Sequence, residues 1–137
     1  MPACPTWIGG KDWETRAYSP RTNTMYMPLR NPCARMMATR HGGMDRYALA
    51  ARNDFAPGFD QLGTVQTISA ETAATEWLYE RGTATMSLVA TGGGLLFGGD
   101  VSGRFQAFDG ETGEGLWETN RGSAVSGFPI TSAVDAR

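Results

Sequence analysis

Gly63-Thr-Val-Gln-Thr-Ile-Ser-Ala-Glu-Thr-Ala-Ala-Thr-Glu-Trp77 and Gly103-Arg-Phe-Gln-Ala-Phe-Asp-Gly-Glu-Thr-Gly-Glu-Gly-Leu-Trp117 are the stretches that decide the fold. Laid over one another at a period of 40 residues, they coincide at Gly, Gln, Glu, Thr and Trp. In the second copy Phe105, Ala107 and Asp109 alternate along one strand, Gly110-Glu111-Thr112-Gly113 makes a turn, and Leu116-Trp117 opens the returning strand. Asp109 and Thr112 can bond turn amides through their side chains, and Gly113 supplies the positive φ that closes a hairpin. Ala107 has to be small if a tryptophan lies near it. Trp77 and Trp117 offer flat surfaces for packing between neighbouring sheets, each with an indole N–H that needs an acceptor. A period of this length built from short strands is the mark of propeller blades, which cannot bury both faces alone and stack on one another.

Working outward, Leu88-Val-Ala-Thr-Gly-Gly-Gly-Leu-Leu-Phe-Gly-Gly-Asp100 reads as a strand pair turning at Gly92 to Gly94, so one near-complete blade runs from about Thr85 to Asn120. Ala17-Tyr18 and Met25-Tyr26-Met27 read as a hairpin around Ser19-Pro20-Arg21-Thr22-Asn23, where Pro20 presets φ and Asn23 tolerates a left-handed one. Residues 34–62 are expected to be an irregular excursion with at most one short strand near Tyr47 to Leu49. The expected class is all-β, a partial propeller of about two to three blades. Residues 1–33 form a hairpin segment, 34–62 the excursion and 63–137 the blade repeats. Even four blades would need roughly 160 residues, so no closed propeller fits here. With open strand edges and uncovered blade faces, the isolated chain is expected to be marginally stable.

Composition agrees. Eighteen glycines, seven prolines, 41% hydrophobic and 19% charged residues suit a globular chain of short strands and tight turns. A net charge of −2 with scattered Lys and Arg gives no electrostatic footprint for nucleic acid. No apolar run approaches the roughly 18 to 20 residues of a membrane helix, and the N-terminal residues lack the pattern of a signal peptide. Cys4 and Cys33 admit a disulfide, two free buried thiols or ligands without partners, and the single histidine, His41, leaves no Cys/His zinc set. His41 beside Asp45 reads as a loop histidine rather than part of a triad. Met25, Met27, Met36, Met37 and Met44 read as packing residues rather than a copper site.

Ala107-Phe-Asp-Gly-Glu-Thr-Gly-Glu-Gly-Leu-Trp117 matches the A-x-D-x-x-T-G-x-x-x-W docking motif of the pyrroloquinoline quinone (PQQ) dependent alcohol dehydrogenases. Thr67, Ser69, Thr72, Ala73 and Trp77 form a degraded copy. Cys4-Pro5, Gly9-Gly-Lys-Asp-Trp13, Ala17-Tyr-Ser-Pro20, Tyr26-x-Pro28 and Gly122-Ser-Ala-Val-Ser-Gly-Phe-Pro-Ile-Thr131 resemble the same family's C-terminal propeller portion. The docking motif alone specifies a blade, because non-catalytic propeller scaffolds with PQQ-like repeats carry similar sequences.

The resemblance implies several things. Cys4 and Cys33 would form a structural disulfide, as suits an oxidising periplasmic location. Asp12, with Lys11 and Trp13 beside it, would contact PQQ; the competing reading is a turn and its packing residue. Lys11 would neutralise Asp12 beside an anionic quinone. Trp77, Trp117, Ala107, Asp109, Thr112 and Gly113 would be blade-docking residues. The parent enzyme would oxidise alcohols to aldehydes with PQQ and a Ca²⁺ or lanthanide ion, passing electrons to a cytochrome c-type acceptor. The metal ligands, the carboxylate base and the adjacent-cysteine disulfide belong to upstream segments, so this chain supplies no catalytic residue. Thr85 and Met86 stand where methanol-type enzymes often carry a tryptophan, which removes one expected cofactor contact. The chain alone is expected to be inactive, its parent gene to continue past Arg137, and a non-catalytic scaffold or binding module is the alternative.

Overall fold

The computed structural model describes residues 2–7, 9–40, 47–81 and 85–134, and every regular element among them is a β-strand. A four-stranded antiparallel sheet runs in simple chain order through β8 (Thr85–Ala90), β9 (Leu95–Asp100), β10 (Arg104–Asp109) and β11 (Gly115–Asn120). This is the blade read from the sequence, with the same limits. Its first turn closes at Gly94 (φ 85°) and its last at Gly113 (φ 75°), conformations that cost a side-chain-bearing residue about 1–2 kcal/mol.

The second four-stranded sheet is assembled across a gap in the sequence. Its order is β2 (Ala17–Ser19), β3 (Thr24–Arg30), β6 (Gly63–Ser69), β7 (Thr75–Arg81). Asn23 takes the left-handed turn (φ 53°) between β2 and β3. The ladder from Thr24↔Ser69 to Arg30↔Gly63 then joins β3 to a strand far along the chain. Thr24, Tyr26 and Pro28 point into the core while Met25 and Met27 are half-buried, the period-two pattern of a sheet covered mainly on one face. Residues 17–30, rather than the whole of 1–33, are therefore half of a blade, and the described residues contain two four-stranded blades plus a smaller sheet.

That smaller sheet corrects the expectation of an irregular 34–62. β4 (Pro32–Arg40) and β5 (Tyr47–Phe55) pair through Pro32↔Phe55 to Arg40↔Tyr47, and the short β1 (Pro2–Ala3) pairs with the root of β4. Cys33 and Ala34 are buried at that root, but Arg35, Met37 and Ala38 are exposed, as are residues 52–55. An arm held by its backbone ladder, with exposed side chains at Arg35, Met37, Ala38 and residues 52–55, carries no apolar alternation there for a sequence reading to find. His41, Met44 and Asp45 lie outside the described residues. Cys4 and Cys33 form a disulfide with Cα atoms 4.4 Å apart, fastening the N-terminal segment to the base of the arm.

The two blades share one core. Ala17, Tyr26 and Val65 from the first meet Leu88, Leu96 and Phe108 from the second, with Trp77, Tyr79 and Ala90 packed around them. Tyr79 sets its ring edge-on to Phe108 at 4.8 Å. Burying each large side chain here contributes about 1.5–3 kcal/mol. At the rim of this seam Trp77 Nε1 donates to the Gly110 carbonyl (3.2 Å), and the Tyr26 hydroxyl donates to the same oxygen (3.0 Å). A Cβ placed on Gly113 would lie 2.7 Å from Trp77 Cε3, so the turn passes flat against the indole.

Candidate cofactor-binding loop

The segment from Gly9 to Thr15 enters β2, the strand at one margin of the first blade, and is clamped at both ends. On one side the Arg30 amide donates to Gly10 O (2.7 Å), Thr6 N to Pro32 O (3.1 Å) and Gly9 N to Thr6 O (2.8 Å). On the other, Leu88 N donates to Thr15 O (3.0 Å) and Thr15 N to the Ser87 hydroxyl (3.1 Å). Residues 11–14 thus bridge β3 of one blade and β8 of the next.

Inside the bridge the side chains divide by direction. Glu14 is 3% exposed and its carboxylate pairs with the Arg30 guanidinium. The Lys11 ammonium turns back to donate to the carbonyls of Asp12 and Glu14, closing the loop on itself. Burial first, then the Arg16 guanidinium, push the Lys11 ammonium below the ordinary lysine value, against the opposing pull of Asp12. Asp12 is exposed, and Trp13 is 48% exposed with the edge of Phe128 against it at 5.8 Å. Lys11, Asp12, Glu14, Thr15 and Arg16 line an open cavity of about 340 Å³.

Phe128 belongs to the C-terminal segment that follows β11. Arg121 N donates to Gly103 O (2.8 Å) and Val125 N to Asp100 O (3.0 Å), laying that segment across the second blade. Val125 sits directly over Gly99, where any side chain would collide with it. Ser87, Gly99, Phe105, Val125, Phe128 and Ile130 line the groove beneath. Trp13 and Phe128, more than a hundred residues apart, are thereby brought together.

Of the residues singled out from the sequence, Lys11, Asp12 and Trp13 share this loop, whereas the blade residues lie elsewhere. Asp109 Oδ1 accepts from Glu111 N and Thr112 N (2.9 Å each), and Thr112 Oγ1 accepts from Glu114 N (3.2 Å), which forms the β10–β11 turn. Ala107 pairs with Trp117 across the strands and is buried, while Trp117 is 51% exposed and edge-on to Phe105 at 6.3 Å. Met86 is buried beside the loop's anchor on β8. Glu14, Arg30, Ser87 and Phe128 were not anticipated: their roles depend on which strands become neighbours, and only the invariably costly burial of a charge could have flagged Glu14 once that was known. Among the described residues no group of three metal-ligating side chains converges.

No family model matches the chain. Over 96% of its length it is 33% identical to lupanine 17-hydroxylase [cytochrome c] from Pseudomonas sp, and over 93% it is 30% identical to the lanthanide-dependent methanol dehydrogenase of Methylacidiphilum fumariolicum. The structure of a europium-containing methanol dehydrogenase superposes on 95% of the chain with a TM-score of 0.80 at 31% identity. The chain belongs to the quinoprotein alcohol dehydrogenase family. It spans about a fifth of the length of the curated relatives it matches, 19% and 22% for the two named. The quinohemoprotein alcohol dehydrogenase of Comamonas testosteroni shares the fold, with a TM-score of 0.76 at 22% identity. The two blades and their seam correspond to a sector of the propeller wall, and the Gly9–Thr15 loop bridges the two blades of that sector.

Proposed function

We propose that the chain is a C-terminal portion of a periplasmic PQQ-dependent alcohol dehydrogenase, whose parent oxidises an alcohol to an aldehyde and passes electrons to a cytochrome c-type acceptor. The observation that carries this reading is the doubly clamped Gly9–Thr15 loop. A scaffold blade has no use for a buried Glu14–Arg30 pair that holds an exposed Asp12 and a half-exposed Trp13 outward between two blades. The Cys4–Cys33 disulfide supports an oxidising compartment. The relatives' names supply the reaction class: a quinoprotein ethanol dehydrogenase, and a hydroxylase whose name includes cytochrome c.

The residues present fit one wall of a site for a planar, anionic quinone. Trp13 offers an aromatic surface, Arg16 and Lys11 place positive charge at the margin of the open cavity, and Asp12 is exposed, with no side-chain ion pair among the described residues. When bound, PQQ supplies the electron-accepting carbonyl to which hydride passes from the alcohol. This chain's part is to orient the ring through Trp13 and Asp12 and to keep the loop rigid through Glu14, Arg30 and Lys11. Lys11 does this through backbone carbonyls, so its charge reaches Asp12 from the side rather than through a direct pair. The Ca²⁺ or lanthanide ion and the base would come from the rest of the parent.

The test is PQQ binding by the full-length parent, read by quenching of protein fluorescence, with Asp12→Ala and Trp13→Ala. Each substitution is expected to weaken binding by roughly tenfold or more, the equivalent of one good polar or stacking contact. Unchanged affinity and turnover in both variants would remove the loop from the site. A parent that binds no PQQ at all would make the protein a non-catalytic propeller scaffold.

A further inference from the structure

The clamps on the Gly9–Thr15 loop act on its backbone. They fix where the Cα of Trp13 lies and leave the ring to its own side-chain torsions, so an indole that is 48% exposed needs a neighbour to hold it in one rotamer. Among the described residues its ring contact is with Phe128, at 5.8 Å between centroids and 80° between planes, inside the range that edge-to-face aromatic pairs prefer. The charged side chains of the loop are committed elsewhere, Glu14 to Arg30 and Lys11 to loop carbonyls.

Phe128 lies in a segment without regular structure and is itself 60% exposed, yet the backbone that carries it is held on the second blade. Arg121 N donates to Gly103 O and Val125 N to Asp100 O, while Gly122 N donates to Asn120 Oδ1 (2.7 Å) at the exit from β11. Two glycines of the blade allow the approach: a Cβ on Gly99 would stand 2.4 Å from Val125 Cβ, and one on Gly103 would stand 2.8 Å from Ser123 O. Residues 121–125 therefore lie flat on the blade and deliver Phe128 to Trp13. The aromatic pair is the point where two separately anchored segments meet.

We propose that Phe128 is a positioning residue for the cofactor site: its ring holds the Trp13 indole in the orientation that PQQ meets, and it does so without touching the cofactor. The inference rests on the reading of the Gly9–Thr15 loop as one wall of a PQQ site, and it adds to that wall a residue more than a hundred positions away. Cofactor affinity then depends on how the segment after β11 sits on the second blade. Without Phe128 the indole has to give up its rotamer freedom on binding, and the loss is read as weaker binding.

The test uses the full-length parent, with PQQ affinity titrated for wild type, Phe128→Ala, Phe128→Leu and Phe128→Tyr, and for Trp13→Ala with and without Phe128→Ala. Phe128→Ala is expected to weaken binding about fivefold, the worth of one aromatic pair. Phe128→Leu, apolar but without a ring, should match it, and Phe128→Tyr should match wild type. In the Trp13→Ala background Phe128→Ala should add nothing. An equal loss in both backgrounds, or no loss from Phe128→Ala where Trp13→Ala does weaken binding, would overturn the inference. Faster hydrogen exchange at Arg30 N and Leu88 N in Phe128→Ala would also overturn it, because the clamps rather than the ring would then have been disturbed. A second readout needs no cofactor. In PQQ-free parent labelled with 5-fluorotryptophan, the Trp13 fluorine resonance, assigned by its disappearance in Trp13→Phe, should move in Phe128→Ala and Phe128→Leu and stay in place in Phe128→Tyr. A resonance indifferent to all three sinks the inference and leaves the cofactor reading standing. If Trp13→Ala leaves PQQ affinity unchanged, the cofactor reading itself fails and this inference falls with it.

Discussion

Glu14→Gln is the sharpest test of how the Gly9–Thr15 loop is held. The Glu14 side chain is 2% exposed and the Arg30 side chain 17%, so the guanidinium left behind would be largely desolvated and without its counter-ion. Removing one partner of a buried ion pair costs about 3–5 kcal/mol, and the residual exposure of Arg30 places this case near about 3 kcal/mol. Repulsion among Lys11, Arg16 and Arg30, no longer offset by the carboxylate, acts in the same direction. The loop can relieve the stress by detaching, which caps the global loss at the free energy of local opening. The measurement is therefore double: urea unfolding followed by circular dichroism, and hydrogen exchange at two amides that clamp the loop, Arg30 N on Gly10 O and Leu88 N on Thr15 O. Exchange at both is expected to accelerate by about two decades for a 3 kcal/mol loss. Replacing both partners, Glu14→Leu with Arg30→Met, is expected to cost less than Glu14→Gln alone, because no charge is then left stranded. A Glu14→Gln protein within about 0.5 kcal/mol of wild type, with both amides equally protected, would refute the clamp.

Three further outcomes follow from the same structure. Cys33→Ser opens a closure of 29 residues and is expected to lower stability by about 3.5 kcal/mol in urea unfolding under non-reducing conditions. Reducing agent should have the same effect on wild type and none on the variant. Ala73→Gly removes a methyl group from a left-handed residue and is expected to raise stability by about 1 kcal/mol, whereas an unchanged or lowered midpoint would mean that the turn is not strained. Asp109 is held below the usual carboxylate range by the amides of Thr112 first and Glu111 second. Because its folded value lies below the ordinary 3.8, its contribution is complete above that pH and is lost as pH falls through the depressed value. Exchange at the Glu111 and Thr112 amides should therefore speed up in acid beyond the intrinsic trend, an effect absent in Asp109→Asn. The Thr72 amide, which donates to the Ser69 hydroxyl instead, should show none.

How much of this was legible in the chain depends on how local the cause was. The β8–β11 blade was readable to its limits because each strand pairs with its chain neighbour and two of its three turns announce themselves, at Gly92 to Gly94 and at Asp109 to Gly113. The first blade was readable only in halves. Nothing in Thr24 to Arg30 names Gly63 to Ser69 as its partner, since apolar alternation says which face is buried and not which strand lies alongside. The β4–β5 arm was missed for the opposite reason, a ladder in which Arg35, Met37, Ala38 and residues 52–55 are exposed beyond the buried Cys33 and Ala34. The same division runs through the site. Lys11, Asp12 and Trp13 are consecutive and could be marked by resemblance, but Glu14 gains its meaning only when β3 carries Arg30 beneath it, and Phe128 only when the segment after β11 doubles back over the second blade.

The repeat pair shows what a resemblance can hide as well as reveal. Read as a motif, Thr67 to Trp77 is merely a worn copy of Ala107 to Trp117. In the structure the two copies do complementary things at one seam: the first gives the tryptophan and the second gives the glycines that receive it. Degeneration at Ala70 and Ala73 then costs the Trp77 contact nothing, because that contact uses the other copy's turn. Thr67, standing where the second copy has Ala107, both accepts from Trp77 N (2.8 Å) and donates to Trp77 O (2.9 Å), so it fixes the backbone of the residue that docks. A threonine there is as suited to presenting a tryptophan as an alanine is to leaving room for one. The departures from the motif are therefore legible as a division of labour between the giving and receiving sides of the blade contact, and Thr67→Ala should loosen Trp77 without disturbing Gly113.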